Sequence, residues 1–158
     1  MNGSIRKAQL SDVPHMVELS EQKRLQYQRY QPVFWRKAED SRQVQLTYFE
    51  GLVLKENIIA LVYEQDKQIK GFVIAMLHSA PPVYKPEGLT CTIDDFCVAE
   101  PENWSTVGTD LLHEVACQAK EQGAVQIVVV CGHLDQSKRE MLASESFNIA
   151  SEWYVKNT

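Results

Sequence analysis

No uninterrupted apolar run in the 158 residues reaches the length that spans a bilayer, which argues against a membrane-embedded chain. The opening stretch Met1-Asn2-Gly3-Ser4-Ile5-Arg6-Lys7 lacks the apolar core of a secretory signal, so the expected location is the cytoplasm. Cysteine is sparse. Cys91, Cys97, Cys117 and Cys131 form no CxxC pair, their spacing is too loose for structural zinc, and no metal is expected. They read as small reduced core residues, and no local signature marks one as a nucleophile. Repeats, linkers and low-complexity tracts are missing, which predicts one domain over 1–158. Basic residues are outnumbered, 16 against 21 acidic ones, for a net charge of −5. That balance argues against a dedicated nucleic-acid binder and suits an amine-bearing partner.

What is present is a regular alternation of apolar periods. Ile5 to Gln9 predicts a short strand, and Ser11 with Pro14 predicts a helix start running to about Tyr30. A second helix is expected over about Ala38 to Lys55. Ile58 to Glu64 and Ile69 to Leu77 predict a hairpin about the turn Glu64–Lys67. After a proline-rich loop, Leu89 to Val98 predicts another strand, Thr106 to Gln122 a helix, and Gly123 its cap. Val125 to Cys131 is almost purely apolar and predicts a central strand buried on both faces. A short helix over Gln136 to Ser144 and a last strand over Phe147 to Lys156, with Trp153 and Tyr154 in the core, complete the expected order β-α-α-β-β-β-α-β-α-β. The expectation is a mixed, mostly antiparallel sheet flanked by about four helices, with a single β-α-β crossover around Val98 to Cys131.

That crossover carries the chemistry. Ile93-Asp94-Asp95-Phe96-Cys97-Val98 leads through a polar loop into Gly108-Thr109-Asp110-Leu111-Leu112. A strand entering a helix in this way aims free backbone N–H groups at one point, a natural phosphate site.

The element order and these residues resemble the GNAT family, the general-control-type N-acetyltransferases. Arg6-Lys7-Ala8 with Asp12 is similar to the family's first strand and helix start, Gly71-Phe72-Val73-Ile74 to its central strand, and Ile93–Val98 to the strand of its polyamine-type members. The family's pyrophosphate loop, Q/R-x-x-G-x-G/A, falls on Asn103, Thr106 and Gly108, two of which depart from the pattern. The resemblance therefore implies acetyl-CoA contacts from Asn103, Trp104, Ser105, Thr106, Val107, Gly108 and Thr109, with the hydroxyls of Ser105, Thr106 and Thr109 offsetting the lost glycine. It implies a splayed strand at Phe96, Cys97 and Val98 whose backbone N–H supports the thioester oxygen. The family motif N-x-x-A-x-x-L-Y-x-x-x-G-F falls on Asp135, Lys138, Leu142, Ser146 and Phe147. Leu142 replaces the tyrosine that protonates the departing thiolate, so the general acid comes from elsewhere or is water.

Transfer to an amine requires a neutral nucleophile, and hence a proton acceptor. Adjacent strand residues face opposite ways, so either Asp94 or Asp95 is expected toward the acceptor. Asp94 matches an acidic residue that polyamine-type members use for substrate or proton handling, while Asp95 reads as structural. His133, just past an apolar strand, is a second catalytic candidate, set against an ordinary loop histidine. His78 is a weaker one. Trp104 either packs under the loop or touches CoA. Lys138 and Arg139 either neutralise CoA phosphates or lie on a solvated face. Arg29, Tyr30, Phe34, Trp35 and Arg36 are expected near the acceptor. The resulting expectation is an acetyl-CoA-dependent N-acetyltransferase acting on a small-molecule or peptide amine by direct attack, with oligomeric state open between monomer and homodimer. The alternative is a catalytically impaired CoA-binding or regulatory module on the same scaffold.

Overall fold

The computed structural model describes residues 3–158. Met1 and Asn2, the head of the expected leader-free N-terminus, lie outside the described residues. Strand β1 (Ser4–Lys7) is followed by helices α1 (Val13–Tyr30) and α2 (Ser41–Val53), then strands β2 (Ile58–Gln65), β3 (Gln68–His78) and β4 (Leu89–Val98). Helix α3 (Val107–Glu121), strand β5 (Ala124–Val129) and helix α4 (Gln136–Ser144) complete the order. Short 3-10 turns cover Leu10–Asp12 and Pro101–Ser105. The sheet order is β1-β2-β3-β4-β5, antiparallel up to β4, with β5 parallel to β4. This is the mixed, mostly antiparallel architecture with one crossover that the sequence predicts.

Each sheet face buries one helix layer. Val13, Met16, Val17, Phe49 and Leu52 of α1 and α2 pack on Val62, Phe72, Ile74 and Cys97. Phe49 meets Phe72 edge to face at 5.6 Å. On the other face, Leu111, Val115 and Met141 of α3 and α4 cover Val73, Ile93 and Phe96. The β2–β3 hairpin turns on Asp66 and Lys67, both at positive φ (53° and 60°), as a two-residue hairpin loop demands. Gly123, at φ 94°, supplies the left-handed residue that stops α3, as expected.

Three expectations fail. Val125 to Cys131 is not a central strand: β5 ends at Val129, stands at the sheet edge, and leaves Val125, Val128 and Val130 exposed. The expected last strand, Phe147 to Lys156, pairs with nothing among the described residues, which is why β5 keeps a free edge. Phe147 still packs on the α3/α4 core, but Trp153 and Tyr154 are exposed at 83% and 88%, with Trp153 edge to face with Phe34. Apolar content alone marked both segments, and burial of a strand depends on neighbours that apolar content does not specify. Cys117, expected in the core, is exposed on α3, while Cys91 and Cys97 are buried in β4.

Candidate active site

The site begins where β4 and β5 part. Their ladder ends with Ile93 opposite Val129, and Val130 N–H still donates to Ile93 O at 2.9 Å. Beyond that point Asp95 to Val98 remain paired only with β3. Ala99 N–H bonds Lys70 O at 2.8 Å, so strict alternation turns the backbone of Cys97 toward β3 and that of Phe96 and Val98 toward the open side. The result is a wedge between two strands, lined on one side by unpaired strand backbone. Of the expected trio, Phe96 and Val98 present backbone groups to it, and Cys97 does not.

A bulge sits at the mouth of the wedge. Ile74 pairs with Asp95 and Ala75 with Ile93, so Asp94 is the extra residue. The bulge cancels the expected opposite-face split of the two aspartates. Both act on Tyr48 of α2, whose phenol is pushed up by burial and then by Asp95 and Asp94. Asp94 is exposed. Asp95 is half-buried, 3.5 Å from Gln45 Nε2. Burial pushes the Asp95 carboxyl above the usual range and Asp94 adds to this, against the pull of Lys23, Arg24 and Lys138. Asp95, read from sequence as structural, is the more buried of the two aspartates. The signal missed was the bulge, which a single sequence does not announce.

At the far end, Asp110 N–H donates to Thr106 O at 2.9 Å as the first rung of α3. The amides of Val107, Gly108 and Thr109 precede that rung and form the positive end of the helix. The hydroxyls around them donate to carbonyls of their own loop. Ser105 Oγ donates to Glu102 O (3.2 Å), Thr106 Oγ1 to Asn103 O (3.4 Å) and Thr109 Oγ1 to Trp104 O (3.4 Å). Trp104 is buried under the loop, edge to face with Phe96 at 4.8 Å. A Cβ on Gly108 would fall 2.6 Å from Trp104 Cε3, so the glycine is required by the indole. Backbone amides are thus the donors this loop has to offer an anion.

Lys138 is not on a solvated face. It is 1% exposed, and its Nζ bridges the wedge, donating to Val130 O at 3.0 Å and Phe96 O at 3.4 Å. The rings of Phe96 and Trp104 flank the ammonium at 5.3 and 5.2 Å. Its neighbour Arg139 instead donates to His133 O at 2.8 Å. The signal for Lys138 was available: Met141 and Leu142, three and four residues on, are core residues, so position 138 shares their face. His133 itself is exposed, beyond the end of β5. Asp135 is buried, and its Oδ2 accepts the Tyr27 hydroxyl at 2.6 Å. His78 bonds Thr92 Oγ1 at 2.7 Å, on the β3 flank of the proline loop. Trp35 lies between Phe34 (4.6 Å) and Tyr27 (5.2 Å), so aromatic rings do cluster between α1 and α2.

No protein-family model matches the sequence, and no curated protein sequence matches it. Solved structures do match. A variant of the BH1408 protein from Bacillus halodurans superposes with a TM-score of 0.86 at 17% identity, over 98% of this chain and 99% of that one. A predicted acetyltransferase from Clostridium acetobutylicum, solved with acetyl-CoA, gives 0.76 at 18% identity over 99% and 96%. The aminoglycoside 6'-N-acetyltransferase AAC(6')-Ih from Acinetobacter baumannii gives 0.73 at 16% identity over 99% of both chains. The fold is that of the GNAT acetyltransferases. Among the described residues, no helix is long and apolar enough to cross a membrane.

Proposed function

We propose that this chain is an acetyl-CoA-dependent N-acetyltransferase, one domain over 1–158, that acetylates a small-molecule or peptide amine by direct attack. The observation that carries the reading is the parting of β4 from β5 after Ile93 and Val129, with the first turn of α3 at its end. The donor set fits an elongated pyrophosphate-bearing thioester. Amides of Val107, Gly108 and Thr109 suit the phosphates, with Asn103, Trp104, Ser105 and Thr106 shaping the loop. Phe96 and Val98 offer strand backbone to an extended amide-bearing arm, with Cys97 between them. Asp135 and Lys138 stand on the α4 side. A structure that holds acetyl-CoA on the same fold supports this assignment.

When bound, acetyl-CoA would supply the activated acetyl group. The chain's own work is to orient the amine, remove its proton and exclude water. In this reading Asp94, exposed at the bulge, attracts the cationic amine, and Asp95 accepts its proton. His133 stands at the rim as a further base. The chain works in the cytoplasm, without nucleic acid, membrane or metal, as a monomer or homodimer. Calorimetry with acetyl-CoA tests the assignment: millimolar ligand is expected to give a saturable signal, and none at that concentration sinks it.

Lys138 in the wedge and Leu142 in the tyrosine position favour a second reading, a CoA-binding or regulatory module with impaired catalysis. Turnover across a broad amine panel that falls in Asp95→Asn counts against it.

A further inference from the structure

Leu142, which stands where the resembled enzymes carry their acidic tyrosine, packs in the α3/α4 core and has no proton to give. One turn earlier on the same face of α4, Lys138 carries its ammonium into the wedge. We propose that Lys138 is the proton donor to the departing thiolate. The proposal rests on the acetyltransferase reading above and gives the missing general acid an address.

Three observations carry it. The ammonium lies at Phe96 O, on the strand whose free backbone faces the wedge. None of the ion pairs among the described residues includes it, so no carboxylate locks its proton in place. Its partners are carbonyls and ring faces, which hold it in position and cannot take the proton away. The titratable groups facing it are Lys23 from α1, Asp95 and Cys97 from β4, Cys131 beyond β5, and Asp135 at the start of α4. Burial, then Lys23, lower its affinity for a proton, and Cys131, Cys97 and Asp135 oppose them. A lysine with lowered proton affinity gives its proton up more readily than a free one.

The step balances without a further reactant. The amine nitrogen bonds the acetyl carbon, and the C–S bond breaks with its electron pair on sulfur. Sulfur takes a proton from Lys138 Nζ, leaving a neutral amine. Asp95 passes the proton taken from the ammonium to solvent before it accepts the surplus proton of the acetylated nitrogen, and Lys138 is reprotonated from solvent after the thiol leaves.

The test follows the thiol, not only turnover. CoA is bound to the wild-type chain, to Lys138→Met and to Lys138→Gln. Ionisation of the bound thiol is read from thiolate absorbance against a desulfo-CoA blank, and affinity from calorimetry. The bound thiol is expected to be at least about tenfold more acidic in the wild type than in either variant. The kcat of the variants is expected to fall about 100-fold or more, with a smaller change in CoA affinity. Equal thiol acidity in all three overturns the lysine's role and leaves the acetyltransferase reading standing. Failure of the wild type to bind CoA overturns both. If neither variant folds, the wild type decides alone: a bound thiol no more acidic than free CoA overturns the proposal.

Discussion

The Tyr27 hydroxyl donates to Asp135 Oδ2 at 2.6 Å and accepts the Gly132 amide at 3.1 Å, so one side chain of α1 pins the turn that carries β5 into α4. Burial, reinforced by Asp135, pushes the Tyr27 phenol far above its ordinary value, so it stays a donor throughout the working range. Tyr27→Phe strands a buried carboxylate oxygen and a buried amide. The expected cost is about 1–3 kcal/mol in urea unfolding, with weaker CoA binding because Lys138 lies one turn into the helix that Asp135 starts. Unchanged stability would show that the pair is ornamental to the fold.

The indole of Trp104 and the backbone of Gly108 leave no room between them. Gly108→Ala drives a methyl against the ring that also packs on Phe96. Overpacking of this kind costs about 1–3 kcal/mol, and here it moves the loop that would hold the phosphates. Thermal shift with and without CoA separates the two effects. The substitution is expected to lower Tm and to reduce the stabilisation that CoA confers. A normal CoA response in a destabilised variant would detach the loop from phosphate binding.

Where the sequence was legible, a local signal and a tertiary demand coincided. The Glu64–Lys67 turn, the α3 stop at Gly123 and the crossover into Gly108 could be read because turn residues and apolar period agree there. Position in the sheet was not legible. The apolar run Val125 to Cys131 reads alike at an edge or a centre, and only the absent partner strand makes β5 an edge. The bulge at Asp94 was hidden for a related reason, since one extra residue in a ladder is a property of the pair and not of the strand. Lys138 hid behind its charge. Lysine is almost never fully buried, so its place on the core face of α4 was outweighed.

The N-terminal edge of the sheet predicts acid behaviour. Arg6 holds Asp12 through paired bonds of 2.7 and 2.9 Å and reaches Glu64 at 2.6 Å. The Arg6 guanidinium pulls the buried Asp12 carboxyl below the usual range against the cost of burial. A carboxylate depressed in the fold stabilises it above the unfolded value, and that contribution is lost as pH falls through the folded one. Asp12→Asn is expected to cost about 1–3 kcal/mol at neutral pH and to flatten the stability profile on the acid side. Chemical unfolding between neutral pH and pH 3 measures it, and parallel profiles for the two proteins would exclude Asp12 as the titrating group.

Asp95 predicts the opposite sign. Its carboxyl is raised by burial and by Asp94, so the folded chain holds that proton to a higher pH than the unfolded chain does. Stability is therefore lost as pH rises from the ordinary carboxylate value through the raised one. Asp95→Asn removes this loss, and a Tm gain of about 2–4 °C at neutral pH corresponds to about 1 kcal/mol in a chain of this length. The same substitution removes the proton acceptor, so kcat is expected to fall about 100-fold or more and the acid limb of its pH profile to disappear. Asp94→Asn, at the exposed bulge, is expected instead to raise KM for a cationic amine, increasingly so at low salt, with little change in kcat. A variant at 95 that loses stability while keeping its pH–rate profile would assign that aspartate to the fold and return the proton to Asp94 or His133.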